Sequence, residues 1–244
     1  MAYSFGVVED KLRETEFFLD QLRQTSPFSF ESKYYFSAFV SAARSVTFAM
    51  QASLNGISGF DEWYRCARER LKTDPLAPFF VEIRNEVVHK GTNPLNQVSF
   101  EHLRQYLATQ LQLRDRSHVL VLPGVRRSDT TVLADAIQAC TTYFVSLVSI
   151  VYDCYYKFRT VVDPQWYFTK ENFSAMNQTL EHALAELGFP PSWVSSAPSE
   201  SAAWKALRQQ QPTCQINDIF EKYLGKTIPA PDDDTRTPKG KGNG

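Results

Sequence analysis

The sequence predicts an all-α protein, and two observations support this prediction. Apolar residues recur at three-to-four spacing along most of the chain, which is the pattern of helices that bury one face. Proline, glycine and asparagine divide the chain into segments of helical length. We therefore expect a helical bundle that contains an irregular insertion with one short hairpin, followed by a small helical C-terminal extension.

The predicted elements of the bundle follow one another with clear start and stop signals. Asp74-Pro75 is a typical helix start and Gly91 a typical helix end. Ser29 is expected to cap the second helix. The four helices are predicted at Val8–Gln24, Phe30–Leu54, Asp61–Lys72 and Pro75–Lys90.

The second half of the chain is predicted to contain one strand and further helices. His118–Leu122 resembles a short strand, closed by Pro123-Gly124. A long helix is expected at Thr131–Val162, where apolar residues keep the helical period throughout. Three shorter helices are expected at Lys170–Leu187, Ala202–Gln210 and Ile216–Leu224.

The predicted elements group into a helical bundle and a C-terminal extension. The bundle is expected over residues 1–162, with the insertion at 92–130, and the helical extension over 163–228. Residues 229–244 are rich in proline, aspartate, lysine and glycine, a composition typical of a disordered tail.

Composition and charge exclude several classes of function. The chain has 244 residues and a formal net charge of −1, whereas proteins that hold nucleic acid by overall charge are strongly basic. Any contact with RNA must therefore be made at a particular site and not through the overall charge of the protein. The N-terminus lacks the pattern of a secretory signal, and polar residues interrupt the most apolar run, Cys140–Tyr156. We expect a cytoplasmic protein that does not engage a membrane.

No metal or cofactor is expected. The four cysteines show no C-x-x-C spacing, so zinc or redox motifs are not indicated. His102, His118 and His182 have no carboxylate or cysteine partners at metal-ligand spacing. The chain also lacks the Gly-rich phosphate loop, the H-E-x-x-H motif and the G-x-S-x-G motif.

The candidate catalytic residues are Arg84, Asn85 and His89 on the fourth predicted helix. Asn85 and His89 are four residues apart and share a helix face, and the long arginine stem can reach toward them. A histidine can transfer protons near neutral pH, and an arginine can stabilise charge on a phosphate. The apolar residues expected to anchor this helix are Ile83, Val87 and Val88.

This motif resembles that of the HEPN family (higher eukaryotes and prokaryotes nucleotide-binding). Family members show an arginine, a polar residue directly after it and a histidine four to six residues beyond the arginine, as at Arg84, Asn85 and His89. The resemblance implies a HEPN-like bundle and a metal-independent endoribonuclease, often a toxin or antiphage effector. It also implies a homodimer in which two motif helices face one RNA cleft.

Two alternatives to the enzyme remain open at this point. In the first, the motif is structural: Arg84 pairs with Glu82 or Glu86, and Asn85 and His89 are polar residues near a helix end. In the second, the protein is a non-catalytic binding or scaffolding module that dimerises or holds a partner protein, such as an inhibitory antitoxin.

Overall fold

The computed structural model describes residues 5–26, 29–95, 119–121, 133–190, 192–193 and 197–231. It confirms the all-α class, because all regular structure in these ranges is helical apart from one short two-stranded ribbon. The chain forms two compact units, and the boundary between them lies between Tyr152 and Asp153. We call them the N-terminal unit and the C-terminal unit.

The N-terminal unit is built on four helices close to the predicted bounds. Ser29 caps the second helix as expected, since its hydroxyl accepts a hydrogen bond from the Ser32 amide at 3.1 Å. The third helix follows Gly59, whose φ of 78° is left-handed. The helices are α1 (Gly6–Gln24), α2 (Phe30–Leu54), α3 (Phe60–Thr73) and α4 (Ala77–Asn85).

Asp74 determines where α4 begins. One carboxylate oxygen accepts from the Leu76 and Ala77 amides at 2.8 and 2.9 Å. The other accepts from the Ser146 hydroxyl at 2.8 Å. Asp74 thus supports the helix start as predicted, although α4 begins at Ala77 and not at Pro75.

The core of the N-terminal unit holds α4 against two longer helices. The Phe80 ring lies edge-on to Phe39 of α2, with centroids 6.0 Å apart. It also stacks on Tyr143, with centroids 4.5 Å apart and an interplanar angle of 7°. Tyr143 belongs to the long helix α5 (Ala136–Val162), so one ring joins three helices.

A two-stranded ribbon lies at the predicted strand, and the long helix begins later than predicted. Strand β1 (Val119–Val121) falls within the predicted strand and pairs antiparallel with β2 (Leu133–Asp135). The long helix was expected from Thr131, but Leu133–Asp135 form β2 and α5 begins at Ala136. The Asp135 carboxylate accepts from the Gln138 amide at 2.9 Å, which supports this later start. The rest of the predicted insertion lies largely outside the described residues.

The C-terminal unit contains short helices. The helix predicted at Lys170–Leu187 is wrong as one element: it is two helices separated by Asn177, which has a φ of 56°. Asparagine tolerates this left-handed conformation and so permits the turn. The helices are α6 (Pro164–Tyr167), α7 (Lys170–Ala175), α8 (Leu180–Glu186), α9 (Glu200–Gln209) and α10 (Asn217–Leu224).

An aromatic core holds these short helices together. Phe173 is fully buried and packs with Tyr167, Phe168 and Trp204. Leu184 and Leu207 are further members of this core. Burying such a cluster stabilises helices that are too short to persist alone.

One helix of the described residues, α5, is long and apolar enough to cross a membrane by length and composition. Half of its most apolar window is buried within the protein. The central helix of a bundle meets the same criterion, so this is weak evidence for a span.

Candidate functional site

The predicted catalytic residues lie where α4 changes its helical form. Arg84 and Asn85 end α4, and His89 belongs to a π-helical turn at Glu86–Lys90. Gly91 ends the turn with a left-handed φ of 67°, as predicted, and its amide donates to the Glu86 carbonyl. Single π turns inside helices are rare and often occur at functional sites.

The π turn changes which residues share a face. In an α-helix, Arg84 and His89 would be offset by about 140°, because each residue advances about 100°. His89 lies inside the π turn, which is wider than an α-helical turn, whereas Arg84 lies in the last turn of α4. The chain from Arg84 to His89 therefore departs from α-helical geometry, so the α-helical offset does not apply to this pair.

The side chains of the three predicted residues meet. An Arg84 guanidinium nitrogen lies 3.4 Å from His89 Nε2 and 3.3 Å from the Asn85 side-chain oxygen. Arginine has no acceptor, so Arg84 must be the donor and Nε2 the acceptor.

The cluster is open to solvent but anchored from one side. Asn85 and His89 are exposed and Arg84 is half-buried, so a bound molecule can reach all three. Ile83 is fully buried and anchors the helix as predicted. Val88 is 48% exposed, so the expectation that it anchors the helix is wrong: it lies in the π turn, where no residue is buried.

A second set of contacts closes the π turn. The Lys90 ammonium lies 2.5 Å from a Glu86 carboxylate oxygen, and the Thr92 hydroxyl lies 3.1 Å from the other. These hydrogen bonds, led by that from Lys90, lower the pKa of Glu86. The same carboxylate raises the pKa of Lys90.

These contacts bear on the structural alternative for Arg84. Glu86 is engaged by Lys90 and Thr92, and Arg84 by Asn85 and His89. Within the described ranges no ion pair joins Arg84 to Glu82 or Glu86. The arginine is therefore directed at the histidine and not at the carboxylates that the structural alternative assigned to it.

Sequence reasoning missed the residues that follow the motif. The Asn93 side-chain nitrogen donates to the Lys33 carbonyl at 2.9 Å. The Asn93 side-chain oxygen accepts from the Leu95 backbone amide at 3.0 Å. This contact fixes the segment after the π turn to the start of α2. The available signal was the run Gly-Thr-Asn-Pro at 91–94, which is typical of a structured turn.

Other residues considered in the sequence do not join the cluster. Arg44 of α2 lies over the Phe48 ring at 4.3 Å and reaches the Thr47 hydroxyl at 3.3 Å. His182 accepts from the Thr179 amide at 3.1 Å and so caps α8. His102 and His118 lie outside the described residues. No group of three or more potential metal ligands occurs among the residues that the structure describes.

Comparison with known proteins contradicts the resemblance to the HEPN family. A family model described as bacteriophage lambda protein ea47 matches residues 23–142. This match covers just under half of the chain and includes Arg84, Asn85 and His89. The assignment to the HEPN family is therefore wrong: an arginine, a polar residue and a spaced histidine are too short a pattern to identify a family. No curated protein and no solved structure matches the chain.

Proposed function

We propose that the Arg84–Asn85–His89 cluster cleaves RNA without a metal ion. The observation that carries this proposal is the contact of 3.4 Å between the Arg84 guanidinium and His89 Nε2 on a solvent-open turn. The pair combines a fixed cation with a group that exchanges protons near neutral pH. The proposal rests on this chemistry and no longer on any resemblance to a nuclease family.

The reaction uses the 2′-hydroxyl of the RNA as nucleophile. When RNA binds, the Arg84 guanidinium turns from His89 Nε2 to the phosphate, and Nε2 then accepts the 2′-hydroxyl proton. The bond from the 2′-oxygen to phosphorus forms, and the bond from phosphorus to the 5′-oxygen breaks. The leaving 5′-oxygen takes a proton from water, and the other product ends in a 2′,3′-cyclic phosphate. Arg84 stabilises the charge that builds on the phosphoryl oxygens, and Asn85 orients the guanidinium through their contact at 3.3 Å.

The first test is incubation of purified wild-type and His89→Ala protein with a mixed RNA pool in the presence of a chelator. The wild-type protein is expected to release fragments that end in 2′,3′-cyclic phosphate, and the variant is not. His182→Ala is the matched control, because it removes a histidine that caps α8. Intact RNA with the wild-type protein, or equal cleavage by the His89 variant, would contradict the proposal.

A binding or scaffolding module is the second candidate function, and a groove in the C-terminal unit favours it. This groove has a volume of about 640 Å³ and is lined mainly by apolar side chains. The Phe189 and Trp193 rings stack beside it with centroids 4.6 Å apart, and Trp193 is 52% exposed. An exposed groove of this composition suits an apolar segment of a partner protein, including an inhibitory one.

Growth of expressing cells distinguishes the two candidates. If the protein is a ribonuclease that acts as a toxin, wild-type expression is expected to slow growth, and His89→Ala is expected to relieve the effect, because the proton acceptor is lost. Growth rate at matched protein levels is the measurement. Equal inhibition by both forms would support the binding module, whose groove does not include His89.

A further inference from the structure

One long face of α2 is open to solvent and carries aromatic rings at both ends. Phe30 and Tyr34 near its start are 74% and 67% exposed, and Phe48 near its end is 49% exposed. At about 100° per residue, these three positions fall on one stripe of the helix. Single exposed apolar residues are ordinary, but three large rings on one helix face mark an interaction surface.

Three serines lie between the rings, and two of their hydroxyls are already hydrogen-bonded within the helix. Ser37, Ser41 and Ser45 lie on the same stripe and are half-buried. The Ser41 hydroxyl donates to the Ser37 carbonyl at 2.9 Å, and the Ser45 hydroxyl donates to the Ser41 carbonyl at 2.9 Å. This face can therefore be covered by another helix without leaving those two hydroxyls unpaired.

The residues of this stripe are spaced symmetrically about Ser41. Ser37 and Ser45 are each four residues from it, and Tyr34 and Phe48 are each seven. A twofold axis through Ser41 therefore places Tyr34 opposite Phe48 of a second copy, and Ser37 opposite Ser45. Arg44 falls opposite Ala38, so the two arginines do not meet.

We propose that this face of α2 pairs antiparallel with the same face of a second copy of the chain. Self-complementarity of this kind is what a twofold interface requires. Spacings of three and four residues along the stripe suit helix pairs that cross at a shallow angle, and small residues at the centre let the two backbones approach. Arg44 lies over the Phe48 ring, which keeps its charge at the edge of the contact.

The exposed rings supply part of the area that a dimer interface needs. Each aromatic side chain carries roughly 150–250 Å², of which half to three quarters is open in these three rings. Six rings from two copies then supply on the order of half of a standard protein interface. The serines, Arg44 and flanking residues of α2 add to this contribution.

The pairing keeps the two candidate sites apart. Asn93 fixes the segment after each π turn to Lys33, which lies eight residues before Ser41. The two copies of Lys33 are therefore separated by roughly 24 Å along the helix pair, at about 1.5 Å per residue. This differs from the shared cleft that the HEPN resemblance implied. Dimerisation and RNA cleavage can consequently fail independently of one another.

Sedimentation equilibrium of the full chain over a concentration series tests the proposal. The wild-type protein is expected to dimerise, and Tyr34→Ser and Ser41→Arg are each expected to raise the dissociation constant at least about tenfold. Ser174→Arg, at an exposed serine of α7, is the matched control and should leave the dimer unchanged. If Ser41→Arg unfolds the protein, Tyr34→Ser decides, because its ring is largely exposed. A monomeric wild-type protein, or a dimer that survives Tyr34→Ser, overturns the proposal.

Cysteine cross-linking tests the antiparallel orientation. In a background that carries Cys66→Ser, which removes an exposed thiol, mixed Ser37→Cys and Ser45→Cys proteins are expected to form a disulfide-linked pair. Ser37→Cys alone should not cross-link, because Ser45 and not Ser37 lies opposite it. Cross-linking of Ser37→Cys alone would indicate a parallel pair and would overturn the antiparallel arrangement.

Discussion

Replacing Arg84 by alanine is expected to lower the RNA-cleavage rate by about 10²–10³-fold, the loss typical of one preorganised donor to a developing anion. The guanidinium lies 3.4 Å from His89 Nε2 and 3.3 Å from the Asn85 oxygen, so its removal deletes the cation and frees both partners. The measurement is the single-turnover rate on a defined RNA. Arg84→Lys should recover part of the rate, because lysine keeps the charge but loses the planar fork.

Two controls separate lost chemistry from lost structure. Arg65→Ala removes an exposed arginine of α3 and should leave cleavage unchanged. Arg84→Ala itself should alter the free energy of unfolding by about 0.5 kcal/mol or less, since surface substitutions rarely do more. Combining Arg84→Ala with His89→Ala should cost less than the product of the single effects, because residues that act as a unit are not additive. Unchanged cleavage by Arg84→Ala would remove the arginine from the proposed mechanism.

The largest expected effect on stability is that of Phe80→Ala, about 3–5 kcal/mol, which is the usual cost of deleting a buried phenylalanine. Phe80 is 2% exposed. Its ring stacks on Tyr143 at 4.5 Å and lies edge-on to Phe39 at 6.0 Å. The substitution leaves a cavity where α2, α4 and α5 meet. The measurement is the shift of the urea unfolding midpoint followed by circular dichroism.

Phe17→Ala is the matched control for Phe80→Ala. Phe17 is 55% exposed, so the same change in side-chain size there should cost about 1 kcal/mol or less. Any cleavage lost by Phe80→Ala should follow the fraction of unfolded protein, whereas Arg84→Ala should lose cleavage while folded. Equal destabilisation by the two phenylalanine variants would mean that Phe80 does not hold the core of the N-terminal unit.

Much of the fold could be predicted from the sequence because local signals set the helix ends. Ser29 caps α2 and Gly91 ends the π turn in a left-handed conformation, and both effects depend on the chemistry of a single residue. The break at Asn177 could not be predicted, because apolar residues continue at helical spacing across it. Phe173 of α7 packs on Trp204, and Leu184 of α8 belongs to the same core, so tertiary packing holds both short helices.

The sequence by itself determined the all-α class, most helix bounds and the identity of the candidate residues Arg84, Asn85 and His89. It did not determine the family, because a three-residue pattern carries too little information. Only the tertiary structure decided that Arg84 contacts His89 and not a neighbouring carboxylate. His89 lies in a π turn, which Glu86, Lys90 and Thr92 close, and the spacing of apolar residues along the chain does not reveal such a turn. Tertiary packing also left the aromatic stripe of α2 exposed, since burial depends on which neighbouring helices cover a face.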